Sequence, residues 1–110
     1  QVEGVLHPGQ RVLLAEDMTT DGGSKVKFVQ AIRDAGGLCN HTALVFFYDI
    51  FPGTQERLAA KGIRLHYLAT WHDVLAEAGD YFDAATIAEV RKFFADPFGW
   101  SVAHGGKGAD

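Results

Sequence analysis

The sequence predicts an α/β domain, a mostly parallel sheet flanked by helices in a Rossmann-like arrangement. Two observations predict it. Short apolar, β-branched runs alternate with amphipathic stretches of helical length, and Gly or Pro punctuates most junctions. Strands separated by helices connect through crossovers, which give parallel pairing with helices on the sheet faces.

Gln1–Leu6 is half apolar and reads as an edge strand or arm, closed by the turn His7-Pro8-Gly9. Arg11–Glu16 is a continuous apolar run, the pattern of a strand buried on both faces. Ser24–Ala35 reads as a helix: Val26, Val29 and Ile32 form a stripe that Phe28 and Ala35 widen, and Gly36-Gly37 stops it. His41–Tyr48, rich in β-branched and aromatic residues, is a second buried strand. After Pro52-Gly53 comes a helix over Thr54–Ala60, ended by Gly62, then a third strand over Arg64–Ala69. Thr70 is the N-cap expected for a short helix Trp71–Ala78, with Asp73 in its first turn. Asp83 caps a helix over Ala84–Ala95 whose inner face is Ile87, Val90 and Phe94, and Pro97 ends it. Residues 1–96 then form the folded part and 97–110 a tail, its Gly-rich end Gly105–Asp110 mobile.

Composition narrows the function classes. The chain has 110 residues, 47% hydrophobic and 22% charged, which fits one globular domain and excludes a disordered or collagen-like chain. The longest uninterrupted apolar run, Ala43–Tyr48, is of strand length, so no membrane partner is expected. Ten Lys+Arg against fourteen Asp+Glu give a net charge of −4, with no basic stripe to bind nucleic acid. Lys25, Lys27, Arg91 and Lys92 read as solvated helix faces. The single cysteine, Cys39, excludes a disulfide scaffold; with no leader of secretory type, it points to the reducing cytoplasm. The chain opens at Gln1 without a methionine and enters strand-like sequence almost at once, as the later part of a longer protein would.

In open α/β sheets ligands bind outside the carboxyl ends of the strands. The first such end runs Glu16-Asp17-Met18-Thr19-Thr20-Asp21-Gly22-Gly23-Ser24 into a helix. Small residues at a helix N-terminus leave backbone N–H groups for a phosphate, glycines allow close approach, and Thr20 and Ser24 add hydroxyls. Glu16 and Asp17 would repel a phosphate set directly on them. They suit a polyol or a Mg²⁺ ion instead, so the implied ligand is a sugar phosphate. The bland alternative is Ser24 as a plain N-cap and the glycines as a tight turn.

Val12–Ser24 as a whole resembles the phosphoribosyl pyrophosphate (PRPP) signature of the type I phosphoribosyltransferases: four apolar residues, two acids, two further residues, then a T-T-G-G-S-like loop. Within that family the chain most resembles the orotate phosphoribosyltransferases over roughly residues 1–95. Val2-Glu3-Gly4 before the signature strand, Gly62-Ile63-Arg64-Leu65-His66 and Thr70-Trp71 support this. The resemblance implies a partial phosphoribosyltransferase core, its carboxyl-terminal part, acting in UMP synthesis. Orotate would displace pyrophosphate at the anomeric carbon of PRPP, assisted by Mg²⁺, to give orotidine monophosphate. Glu16 and Asp17 match the acids that hold the ribose hydroxyls, with Mg²⁺ at that pair an open possibility. Met18 and Thr19 complete the signature, and Thr20, Asp21, Gly22, Gly23 and Ser24 match the loop around the 5′-phosphate. Thr20 also sits where the family contacts the orotate side. A homodimer is implied as well.

Two positions depart from the pattern. Asp21 stands where the family has Thr or Ala, and a carboxylate about 5 Å from phosphate costs on the order of 1–3 kcal/mol at an effective dielectric of about 20. Either Asp21 turns away to cap neighbouring backbone N–H groups, the favoured reading, or the loop is altered. Ile50 stands where an Arg would grip the orotate carboxylate, which leaves the nucleobase open. The family's lysine-bearing flexible loop and base-recognising hood precede the signature and have no counterpart in these residues. The chain is therefore expected to carry the ribose-phosphate half of a site, to contain no catalytic residue of its own and to be inactive alone.

The remaining candidates read blandly. His41, His66, His72 and His104 lack metal-ligand spacing, and Cys39 is a small core residue. Asp49, at the second strand's carboxyl end, is either a loop cap or a partner of the acids. Phe93, Phe94, Phe98 and Trp100 around Pro97 pack internally or form a dimer contact. Two other functions compete with the enzyme. A receiver-like signalling domain would use Glu16, Asp17 and Asp49 with Thr70, but would lack its conserved Lys and leave the glycine loop unused. A non-catalytic PRPP-sensing regulator would keep the same loop.

Overall fold

The computed structural model describes residues 2–109. Three strands, β1 (Arg11–Thr19), β2 (Leu38–Phe47) and β3 (Arg64–Thr70), pair in the order β1-β2-β3, both pairs parallel. The crossovers are α1 (Gly23–Asp34) and α2 (Thr54–Ala59), and α3 (Trp71–Glu77), α4 (Ala84–Ala95) and α5 (Pro97–Ala103) follow. The register sets Thr19 beside Phe47 and Phe47 beside Thr70, so all three carboxyl ends lie along one edge.

The core lies between the sheet and its two crossover helices. Val29 of α1, Leu58 of α2, and Cys39, Leu44, Phe47, Ile63 and Leu65 from in or beside the strands are buried together. Val12, Leu14, Val26 and Ile32 pack against them. Strand alternation sends the other side chains to the opposite face, where Leu13, Val45 and Leu68 are exposed. The run Arg11–Glu16 is therefore not buried on both faces. β1 is an edge strand covered on one side only, and it continues to Thr19.

Residues 2–6 form no strand; Gln1 lies outside the described residues. This arm turns at Pro8-Gly9 and is laced to the end of α1, Gly9 N–H donating to the Gly36 carbonyl at 2.8 Å. The helix caps follow the sequence closely. Thr70 and Asp73 form a reciprocal capping box on α3, and Asp83 accepts from Thr86 N–H at the start of α4. Pro97 closes α4 and also opens α5 as its first residue, so part of the 97–110 stretch is helical. The α4–α5 hairpin is held by aromatics: Phe93 meets Trp100 edge-on at 5.4 Å, Phe98 meets Phe51, and Phe94 meets Trp71. No helix among the described residues is long and apolar enough to cross a membrane.

Glu89 ties this hairpin together by accepting from the Trp100 indole N–H at 2.8 Å. That bond first, and the bond from Lys92 second, hold its carboxyl below the ordinary glutamate value of 4.5. A depressed carboxyl favours the folded form above its unfolded value and loses that contribution as pH falls through the lower folded value. Trp100 fluorescence is expected to stay constant down to about pH 4.5 and to change below it, with the change abolished in Glu89→Gln.

Candidate phosphate and ribose site

The site begins where β1 passes into α1. Adjacent residues in a strand point to opposite faces, and this separates the two acids. Glu16 turns to the helix side and is half-buried; Asp17 turns to the open side and is exposed. The structure thus does not bring the carboxylates together on one face, and they do not end the strand, which runs on through Met18 and Thr19.

What Glu16 meets instead is Lys25. This side chain, from the first turn of α1, is among the most buried in the molecule at 1% exposure. Its Nζ pairs with the Glu16 carboxylate and donates to the Met18 carbonyl at 3.1 Å. Lys25 is not part of a solvated helix face. The stem lies between α1 and β1, and among the described residues the partners of its Nζ are Glu16 and the Met18 carbonyl. Burial lowers its affinity for a proton below the ordinary lysine value.

The bend itself is Thr20-Asp21-Gly22. Gly22 has φ +85° and caps α1 without a side-chain bond, and the helix begins at Gly23 rather than Ser24. A Cβ on Gly22 would stand 3.2 Å from Leu58 Cδ1 as well as in a left-handed conformation. Asp21 turns back on the chain, and its Oδ1 accepts the Gly23 N–H at 3.0 Å. The carboxylate therefore caps the first amide of the helix, while Ser24 and Lys25 N–H have no acceptor within the helix. Thr20 and Ser24 are exposed; Thr19 is buried, and its hydroxyl has no hydrogen-bond partner among the described residues.

The neighbouring strand ends close round this bend. Tyr48 N–H donates to the Thr19 carbonyl at 3.0 Å. Asp49 follows with φ +53°, a left-handed conformation that Asp tolerates better than most residues, and His72 Nε2 lies 2.9 Å from its carbonyl. Ile50 is buried. Asp49, Pro52 and Thr54 line a cleft of about 230 Å³. Arg57 of α2 joins that cleft to the bend by donating to the Pro52 carbonyl at 2.6 Å and the Asp21 carbonyl at 3.4 Å. The larger cavity, about 680 Å³, lies beside the first residues of β3, is lined by Asn40, His41 and Arg64 among others, and includes no residue of the bend.

Lys25 and Arg57 were both missed by sequence reasoning. Lys25 sits one residue beyond the Gly-Gly-Ser loop on what should be a helix's exposed start, and only β1 behind it explains its burial. The pairing of β2 with β3 also brings His41 Nδ1 to 3.0 Å from His66 Nε2 across a gap of 25 residues. No group of three or more His, Cys, Asp or Glu side chains suited to a metal ion occurs among the described residues. Magnesium commonly takes only one or two protein carboxylates and completes its shell with water and substrate phosphates. The exposed Asp17 fits that demand; Glu16 is already engaged.

Known proteins resemble this arrangement closely. No protein-family model matches the chain. An orotate phosphoribosyltransferase of Dinoroseobacter shibae is 57% identical over 106 residues, covering 94% of this chain and 47% of that protein. One from Cereibacter sphaeroides is 59% identical over 105 residues, covering 45% of its own length. Over nearly its whole length the chain is thus similar to orotate phosphoribosyltransferases. It spans about half the length of the curated relatives it matches. Among solved structures, the Mycobacterium tuberculosis orotate phosphoribosyltransferase in complex with PRPP shares 35% identity over 64% of this chain, with a TM-score of 0.56. The Leishmania donovani UMP synthase superposes over 84% of the chain with a TM-score of 0.73 at 23% identity, which shows the shared fold.

The local geometry of the bend sets what Gly22 must do. Gly22→Ala is expected to lower stability by about 1–2 kcal/mol, the cost of a left-handed non-glycine residue, read as a shift in the urea midpoint. Gly23→Ala, whose Cβ would meet only Asp21 Oδ1 at 3.5 Å, should leave the midpoint almost unchanged.

Proposed function

We propose that this chain is the ribose-phosphate-binding part of an orotate phosphoribosyltransferase, which joins orotate to the anomeric carbon of PRPP as pyrophosphate leaves, yielding orotidine monophosphate for pyrimidine synthesis. The observation that carries the reading is the acid-bearing strand β1 passing through a left-handed glycine into α1 at the carboxyl edge of a parallel sheet. High identity to orotate phosphoribosyltransferases over 94% of the chain supports it.

Each part has a distinct task. Asp17 meets the ribose hydroxyls as a hydrogen-bond acceptor, with Glu16 behind it on the helix side against Lys25; Met18 and Thr19 carry the strand into the bend. Thr20 to Ser24 surround the 5′-phosphate, which collects backbone N–H groups at the start of α1 together with the Thr20 and Ser24 hydroxyls. Thr20 also borders the orotate side. Asp21 already accepts the Gly23 N–H, so the phosphate takes the amides that follow, those of Ser24 and Lys25. When bound, Mg²⁺ supplies charge neutralisation for pyrophosphate, and Asp17 is the side chain that would hold it. These groups position and stabilise charge and form no covalent intermediate. The working protein is a cytoplasmic homodimer, and the groups that engage pyrophosphate and the base come from outside this chain.

Calorimetric titration with PRPP and Mg²⁺ tests the binding half of this reading. The wild-type chain is expected to bind, and Asp17→Asn to bind roughly tenfold to a hundredfold more weakly, as the loss of one charge-assisted hydrogen bond implies. Nucleotide formation from PRPP and orotate by the chain alone should be undetectable; measurable turnover would refute the assignment of the remaining groups elsewhere.

A further inference from the structure

Lys25 is a buried charge for which the proposed reaction has no direct use. A cation in the first turn of a helix is opposed by the helix dipole, and burying it adds a desolvation penalty. Both disadvantages act here, at 1% exposure and in the third residue of α1. Its Nζ contacts two acceptors on β1, the Glu16 carboxylate and the Met18 carbonyl. Those two residues flank Asp17.

We propose that Lys25 is a positioning residue for the ligand-facing acid: by pinning Glu16 and Met18 from the helix side, it steadies the end of β1, on which strand alternation turns the Asp17 carboxylate to the open face. Glu16 is then a strut that acts through Lys25, and the hydroxyls of the ribose fall to Asp17. This rests on the sugar-phosphate reading of the preceding subsection. It also accounts for the unequal surroundings of the two acids, one half-buried against a lysine and one free. β2 pairs with the last residues of β1 from one side only, and Lys25 restrains the same residues from the helix side.

A double-variant cycle on the 110-residue chain tests the inference. PRPP with Mg²⁺, and separately ribose 5-phosphate alone, are titrated into wild type, Lys25→Met, Glu16→Gln, the double variant and Asp17→Asn, and each melting temperature is recorded. Lys25→Met and Glu16→Gln should each weaken binding of both ligands by roughly tenfold to a hundredfold, the penalty for a misplaced contact group. The double variant should bind no worse than the weaker single variant. Its melting temperature should recover relative to Lys25→Met, because no carboxylate is then left half-buried without a partner. Affinity that stays low while stability recovers separates positioning from mere support of the fold. Wild-type affinity in Lys25→Met, losses that multiply in the double variant, or affinity that simply follows melting temperature would each overturn the inference. Absence of binding by wild type itself would defeat the sugar-phosphate reading as well, and is distinguished by the intact melting transition.

Discussion

The contact on which the site depends is the buried ammonium of Lys25 between α1 and β1. Desolvating a lysine is costly, and removing one member of a buried pair typically costs several kcal/mol because the other charge is stranded. The pair therefore couples the first turn of the helix to the last turns of the strand: neither can shift without uncovering a charge. The bend between them, only a few residues long, inherits its geometry from both ends. Gly22 adds a second restraint, since its left-handed backbone leaves no easy room for a Cβ beside Leu58 of α2. Helix, strand and crossover thus meet at one small loop.

Parallel pairing supplies the frame around that loop. Because β1, β2 and β3 run the same way and in near register, three strand-to-helix junctions open on one edge. Arg57 bridges the first and second of these junctions through backbone carbonyls, and His72 contacts the second from α3. Such contacts hold loops through the backbone and so leave side chains free for a ligand. Ligand sites in open α/β sheets gather at this edge for the same reason: it is where loops can vary while the strands keep them in place.

The other face of the sheet has a different character. Leu13, Val45 and Leu68 are exposed there, beside the contacting imidazoles of His41 and His66. Parallel sheets normally carry cover on both faces. The described residues cover one, in a chain that spans about half the length of its curated relatives. Asp17 emerges on the uncovered face, so the exposed member of the acid pair and the apolar surface adjoin one another.

By itself the sequence determined the order and type of the three strands and four α-helices from Arg11 to Ala95, because period, capping residues and glycine stops are local properties. Thr70 with Asp73 and Asp83 with Thr86 cap the helices that their spacing announced, and Asp21 caps Gly23 N–H as its short side chain allows. It also placed a glycine turn between the first strand and the first helix, since Gly22-Gly23 interrupts both patterns locally. Only the tertiary structure decided which side chains are covered. An apolar run reads alike at the edge and the centre of a sheet, so the exposure of Leu13 came from the strand order. A lysine after a glycine loop reads as solvated until β1 stands behind it. The separation of Glu16 from Asp17, and the meetings of Lys25 with Glu16, Arg57 with Asp21 and His41 with His66, all arise because pleating and pairing act at a distance that spacing along the chain does not encode.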